Sequence, residues 1–449
     1  MYSKVKGTKD YNVVDYLVKD YVFNIFNQTI LKFNYRLIET PIIENSNLFK
    51  RSVGEGSDIV NKEMYEFKDK GDREICLRPE GTAGFVRALV ENKWYASENK
   101  KYAYVGPYFR YEQPQKGRYR QFWQAGVEFI GDKNYLKDAE VIYMAQVILN
   151  HLEVETELKI NSIGDLETRK RYEEALVNYL KPYKSQLSLV SQERLTNGHA
   201  LRILDDKLDS KLPFMANAPK ISDYLSDASK KYLEQLIGKL NDYGVEYTLS
   251  NELVRGLDYY DEVVFEFVAT DKNAGSQSTL IGGGRYSNLI EQIGGPKLSS
   301  IGFGFGVDRI MTIIYDKFVK ENNLDDYVSS CTIYLAASEN DENLDFMHNL
   351  ANNYLRVFFD QVKNEYELIK SKKVFEKAQK YNASILIYDD KNVSNKMLVA
   401  KSLVNGEKCT FTKNEEGIID LIRFIADQEV SDISVDQIEE LLEGEFGYE

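Results

Sequence analysis

Cysteine and histidine are the scarce residues here: three of each in 449 positions. Cys76, Cys331 and Cys409 lie far apart, with no CxxC pair, so neither a disulfide framework nor a thiolate zinc site is expected. His151, His199 and His348 are equally scattered, which argues against a histidine-based metal centre or a nucleophile–His–acid triad. No metal site built from protein side chains is therefore expected. No run approaches the ~20 apolar residues of a spanning helix, and the N-terminal MYSKVKGTKDY has no apolar core of a signal peptide. A cytoplasmic protein without membrane contact is the expectation. Positive charge is in the minority, with a net charge of −14, which argues against a protein that coats DNA. It leaves room for RNA, which local basic patches recognise. Hydrophobic residues make up 43%, enough for a substantial core, and the length suits two or three domains.

What the chain does have is concentrated in Tyr104–Gly131, YVGPYFRYEQPQKGRYRQFWQAGVEFIG. Tyr104–Tyr111 and Gln121–Ile130 alternate as strands do, and Glu112–Arg120, with Pro114 and Gly117, reads as the loop joining them. Arg110, Lys116, Arg118 and Arg120 surround the carboxylates Glu112 and Glu128. Guanidinium groups grip polyphosphate oxygens bidentately. A carboxylate on the same sheet suits an ammonium or an N–H donor. The competing interpretation is an ordinary charged surface hairpin.

Along the rest of the chain, Val14–Phe33 has helical spacing, Arg36–Ile43 reads as a strand and Glu44–Val53 as a helix. Strands are expected at Met64–Lys68 and Glu74–Arg78, a helix at Gly81–Glu91 and a strand at Lys159–Ser162. Asp165–Asp242 is charged, poor in glycine and helical in pattern, and reads as an insertion. Strands resume at Val245–Ser250 and Tyr259–Ala269, Gly282–Gly284 reads as a tight turn, and Ile301–Gly306 then Val307–Phe318 as strand then helix. Polar Leu324–Ser330 suits a linker. Beyond it, Thr332–Ala336, Glu365–Ile369 and Ser384–Tyr388 read as strands and Asn340–Arg356 and Ser371–Tyr381 as helices, a small α/β unit before an acidic tail, Ser431–Glu449.

Further constellations repeat the same chemistry. In LRPEGT (Leu77–Thr82), Glu80 follows a strand-ending proline beside Thr82. Taken alone it reads equally as a receptor for an ammonium or as an acid at a helix N-terminus. In LVRGLDYYDEVVFEF (Leu253–Phe267), Tyr259 and Tyr260 carry hydroxyls able to read a polar ring. IGFGFGVDR (Ile301–Arg309) has GxGxG spacing, not the GxGxxG of a dinucleotide site. Alternating glycines on one strand face would instead leave a floor for a planar ring, with Arg309 placed to reach a phosphate or stack on a base.

Together these segments resemble the histidyl-tRNA synthetases, a family of class II aminoacyl-tRNA synthetases. ETPIIENSNLFKRSVGEGSDIVNKEMYEFK (Glu39–Lys68) resembles the first class II motif, FRYE (Phe109–Glu112) the second and GFGFGVDR (Gly302–Arg309) the third. LRPEGTAG (Leu77–Gly84), PQKGRYRQF (Pro114–Phe122) and RGLDYY (Arg255–Tyr260) are the more specific signals. The resemblance implies an α+β catalytic domain with an antiparallel sheet and a helical insertion (1–325, insertion about 165–243), followed by an α/β anticodon-binding domain (330–430) and a tail (431–449). It implies that L-histidine, activated by ATP with Mg2+, is joined to tRNA(His) by a homodimer whose first motif, around Pro41, forms the interface.

On this chain the resemblance places Arg110 at the α-phosphate, Arg118 and Arg309 at the outer phosphates, Phe122 on adenine and Glu112 in the ATP site. Glu80, Thr82 and Gln124 would hold the α-amino group. Glu128 and Tyr260 would bond the imidazole, with Tyr259 and Tyr286 beside it. Arg255 would face both the substrate carboxylate and the α-phosphate, as the catalytic cation with Arg110. Gln113, Trp123 and Asp308 depart from the family pattern, which has Arg, His and Glu there. Lys370, Lys372, Lys373, Lys377 and Lys380 are candidates to face RNA phosphates, or form a solvated helix face. The alternative is a catalytically inactive paralogue that senses histidine as the regulatory subunit of ATP phosphoribosyltransferase.

Overall fold

The structure, a computed structural model, describes residues 2–54, 57, 59–115, 117–204, 206, 208–253, 259–270, 279–324, 328 and 330–428. Arg255, Lys116, most of the expected linker and the acidic tail lie outside the described residues. The chain divides into two compact units, Met1–Phe318 and Val319–Glu449.

The first unit opens with α1 (Val13–Lys32), capped by Asn12 and Asp15 in a reciprocal capping box. It continues through β1 (Arg36–Leu37), β2 (Ile43–Asn45), α2 (Ser46–Val53), β3 (Tyr65–Lys68), β4 (Glu74–Leu77), α3 (Thr82–Glu91), β5 (Lys101–Phe109), β6 (Gln121–Gly131) and α4 (Tyr135–His151). Next come β7 (Thr156–Gly164), the inserted helices α5 (Leu166–Leu180), α6 (Leu189–Thr196) and α7 (Asp227–Asp242), then β8 (Thr248–Leu249), β9 (Asp261–Ala269), β10 (Thr279–Tyr286), α8 (Leu289–Gln292), β11 (Ser299–Gly306) and α9 (Val307–Glu321). Eight strands form one sheet in the order β1-β5-β6-β11-β10-β9-β7-β8. Its six central strands are antiparallel, and only the edge strands β1 and β8 pair in parallel. A small sheet, β2-β4-β3, lies apart from it in the pairing.

In the second unit, β12 (Ile333–Ala336), α10 (Asp341–Leu350), β13 (Val362–Asn364), α11 (Ser371–Lys380), β14 (Ile385–Tyr388), β15 (Met397–Ser402), β16 (Lys408–Thr412) and α12 (Glu415–Asp427) build a five-stranded sheet, β13-β12-β14-β15-β16. One face packs Leu335, Ile387 and Ala400 on Leu350, Leu421 and Ile425; the other packs Tyr334, Leu386 and Val399 on Val374 and Ala378.

The expected α+β class stands, with several local corrections. Gly282–Gly284 is not a turn but the middle of β10, bonded to β9 and β11. Crowding requires glycine there: a Cβ on Gly283 would lie 2.3 Å from the Gly302 carbonyl and 2.6 Å from the Phe265 ring. The strand expected at Glu365–Ile369 lies earlier, at Val362–Asn364, and Tyr366, 79% exposed, has no core to face. Only Thr248–Leu249 of Val245–Ser250 is strand. Helix α4, strands β15 and β16 and helix α12 are further elements that the sequence pattern does not signal.

Candidate active site

Strands β5 and β6 are paired throughout, Lys101 opposite Phe129 and Phe109 opposite Gln121, and the Glu112–Arg120 loop joins them. Beside β6 runs β11, with Gly302 opposite Glu128, Gly304 opposite Gly126 and Gly306 opposite Gln124. The end of this surface is a cavity of about 320 Å3. Its wall includes Glu80, Thr82, Arg110, Glu112, Arg118, Phe122, Gln124, Tyr259, Tyr260 and Arg309, residues drawn from six separate stretches of sequence.

Three arginines line the cavity. The Arg110 side chain donates from Nε to the Pro79 carbonyl at 2.8 Å, and its guanidinium carbon lies 5.4 Å from the Phe122 ring centroid. Arg118 is ion-paired with Glu112 and has Glu63 at 4.0 Å. Burial lowers the Arg118 pKa, but a guanidinium remains charged near neutral pH. Arg309, in the first turn of α9, donates to the Thr279 carbonyl at 2.7 Å.

Behind the wall residue Thr82 sits Glu128, 1% exposed. Its carboxyl accepts from Thr82 Oγ1 at 2.9 Å, the Tyr104 hydroxyl at 3.1 Å and the Tyr286 hydroxyl at 2.9 Å. Burial pushes it up to about 8 against the pull of those three hydroxyls, and nearby Glu80 adds to the rise. The phenols of Tyr104, Tyr259 and Tyr286 are also raised by burial, so they remain protonated donors. Glu80 accepts from the backbone N–H groups of Thr82 and Ala83, each at 2.7 Å, at the start of α3. It is therefore a helix-capping acid and a cavity-wall residue at once. The two interpretations open from the sequence are compatible.

The glycine strand is a floor only in part. Gly304 and Gly306 line the cavity. The space above Gly302 is filled by Glu128: a Cβ there would fall 2.1 Å from Glu128 Oε2 and 2.4 Å from the Val127 carbonyl. Gly302→Ala is expected to lower stability by about 1–3 kcal/mol through overpacking, and to displace the Glu128 carboxyl. An unchanged melting temperature in thermal unfolding would show that Gly302 has room to spare.

Sequence reasoning missed Tyr104, which looks like any inward strand aromatic until the β5–β6 register sets it against Glu128. It also missed Glu266, Thr279 and Tyr119 on the cavity wall. Arg285, wholly buried, is ion-paired with Asp138 and donates to Ser299, which fixes the strand that carries Tyr286. Tyr232 of α7 donates to the same Asp138 at 2.7 Å.

A family model described as histidyl-tRNA synthetase matches residues 22–310. The histidine–tRNA ligase of Mycoplasmopsis pulmonis is 40% identical over 410 residues, 91% of this chain and 94% of that protein. The chain belongs to the histidyl-tRNA synthetase family. The histidine–tRNA ligase of Mycoplasmopsis synoviae is 45% identical across 86% of this chain and 78% of its own length. The apo S. aureus histidyl-tRNA synthetase superposes with a TM-score of 0.75 at 33% identity, covering 95% of this chain and 99% of that one. An ATP phosphoribosyltransferase regulatory subunit/histidyl-tRNA synthetase from Bacillus halodurans shares the fold at TM-score 0.60 and 21% identity, covering 86% of this chain and 98% of that one. Family membership makes the chain an ATP-dependent aminoacyl-tRNA synthetase.

Proposed function

We propose that the cavity binds ATP and L-histidine side by side, forms histidyl-adenylate, and passes the histidyl group to the 3′ end of tRNA(His). The observation that carries this reading is a buried carboxyl ringed by hydroxyls, Glu128, bonded to Thr82 on the wall of a cavity that three arginines also line. Imidazole presents separate N–H and N sites. Glu128 would accept its N–H, with Tyr260 on the ring and Tyr259 and Tyr286 beside it. A rival without those ring nitrogens leaves buried polar groups unpaired, and such sites reject analogues by roughly 10⁴-fold. Glu80, Thr82 and Gln124 would receive the α-amino group.

The chemistry needs no protein nucleophile. The histidine carboxylate attacks the α-phosphorus, pyrophosphate leaves, and charge gathers on phosphate oxygens. Alignment and fixed positive charge are what the protein supplies. Arg110 would hold the α-phosphate, Arg118 and Arg309 the outer phosphates, and Phe122 the adenine face. Mg2+ would enter on the ATP phosphates, where the wall also presents Glu112 and Glu266. Arg255 would face the reacting α-phosphate. Histidine-dependent exchange of labelled pyrophosphate into ATP tests the reading. Histidine binding without exchange would favour the regulatory-subunit alternative, which the arginine-lined cavity does not support.

The second unit would bind the anticodon of tRNA(His), with the α11 lysines facing RNA. Among these Lys377 is paired with Glu365 at 2.7 Å, while Lys372 lies 3.8 Å from Glu376. No described helix is long and apolar enough to cross a membrane. A cytoplasmic setting, with neither DNA nor membrane as a partner, completes the proposal.

The active form would be a homodimer built on Glu39–Lys68. In the small sheet, pairing puts Ile43, Leu77 and Tyr65 in one row and Ile75 and Phe67 in the next, all on one face. Ile43 is 53% and Phe67 44% exposed, an apolar face that a second copy would cover. Light scattering should report twice the 51.8 kDa chain mass. Phe67→Asp should shift the protein toward monomer with loss of exchange. A fully active monomer at micromolar concentration would rule the interface out.

A further inference from the structure

The segment Val5–Tyr11, ahead of α1, touches the loop that carries Arg118 and the helix that carries Arg309. At Gly7 the carbonyl accepts from the Arg120 backbone N–H at 2.7 Å. Gly7 has φ +88°, and a Cβ there would meet the Arg120 side chain at 2.8 Å and Pro114 at 2.9 Å. The segment thus lies flat against the Glu112–Arg120 loop that carries Arg118. Four residues on, the Tyr11 hydroxyl donates to Asp308 Oδ1, and the other oxygen of that carboxylate accepts from the Trp123 backbone N–H at 2.7 Å. Asp308 immediately precedes Arg309, and Trp123 lies between Phe122 and Gln124. One carboxylate, 4% exposed, therefore ties the N-terminal segment, strand β6 and helix α9 together.

The anchor is reinforced from α1. The Lys19 ammonium, on a residue 5% exposed, sits 4.7 Å from the Tyr11 ring centroid, 4.6 Å from that of Tyr16 and 4.4 Å from that of Trp123. Lys9 lies 4.9 Å from the Tyr11 ring and pairs with Asp15 at 3.0 Å. These contacts fix the Tyr11 ring from several sides, so its hydroxyl is delivered to Asp308 in one orientation.

We propose that Tyr11 is a positioning residue for the nucleotide end of the cavity: through Asp308 and the segment Val5–Tyr11 it sets Arg309, Phe122 and the Arg118 loop in register with one another. The inference rests on the ATP site proposed above. A merely structural role would weaken both substrates alike, or neither. A positioning role at the nucleotide end weakens ATP and spares histidine: its proposed imidazole contacts, Glu128 and Tyr286, make no bond to the segment, and Gln124, next to Trp123, stays held by its pairing with Gly106 and Gly306.

Equilibrium binding of ATP and of histidine to the full-length protein, followed by calorimetry, tests it. Tyr11→Phe keeps the ring and deletes only the hydroxyl. Its Kd for ATP should rise roughly five- to tenfold, the part of the lost Tyr11–Asp308 hydrogen bond that is felt at the nucleotide end. The Kd for histidine should remain within twofold. Gly7→Ala, strained at its φ and crowded by Arg120, should move ATP affinity in the same direction. An unchanged ATP affinity in both variants, or equal losses for ATP and histidine, would overturn the proposal. A wild-type protein that binds ATP but exchanges no pyrophosphate would instead sink the ligase reading, leaving the binding result for Tyr11 readable.

Discussion

Arg255→Ala should lower single-turnover formation of histidyl-adenylate by about 10²–10³-fold while ATP and histidine binding remain measurable. The reason lies in when its charge is needed. In the proposed role it faces the α-phosphate as the attacking carboxylate arrives and negative charge crowds onto the phosphate oxygens. Loss of one preorganised donor at such a point typically costs about 3–4 kcal/mol of barrier. Ground-state contacts are shared among Arg110, Arg118 and Arg309, so affinity falls less than rate. Rapid-quench measurement of the adenylate gives the answer. Formation within a few-fold of wild type would remove Arg255 from the chemistry.

Glu128→Gln should raise the Michaelis constant for histidine by roughly 10–100-fold, with that for ATP nearly unchanged. The amide, unlike the carboxyl, cannot give up a proton to become a charged acceptor when the imidazole N–H arrives, and it must share its oxygen among the hydroxyls of Thr82, Tyr104 and Tyr286. The same substitution has a signature in stability. Burial raises the folded-state pKa of Glu128 from an ordinary 4.5 to about 8. Between those values the folded protein keeps a proton that the unfolded chain has released. Stability from this group is therefore complete at low pH and is lost as pH climbs toward 8. The stability of Glu128→Gln relative to wild type should accordingly improve from about pH 5 to about pH 8 and level off above. Denaturant melts across that range would show it. A pH-independent difference would mean that Glu128 is ionised in the empty site.

Much of this site was legible because its chemistry is written in short segments. FRYE, LRPEGT and GFGFGVDR each announce their charges beside a strand end, and the structure gathers Arg110, Glu112, Glu80, Thr82 and Arg309 on one cavity wall. What stayed hidden depends on register and crowding. Tyr104 becomes a partner of Glu128 only once β5 is laid against β6. Gly282–Gly284 looks like a turn because glycine punctuates chains locally. Its actual cause is the Gly302 carbonyl and the Phe265 ring pressing from neighbouring strands. The link from Tyr11 to Asp308 spans almost the whole first unit, and nothing near either residue hints at the other. In the second unit, Val362–Asn364 pairs with β12 although the more apolar-looking stretch follows it; a short parallel edge strand takes its place from its neighbour, not from its own pattern.

The most direct test of the central claim is transfer of labelled histidine to tRNA(His). The account predicts ATP-dependent, acid-precipitable histidyl-tRNA, little or no charging with other amino acids, and loss of the product in Arg255→Ala. A well-folded protein that binds histidine and ATP yet leaves tRNA(His) uncharged would contradict it.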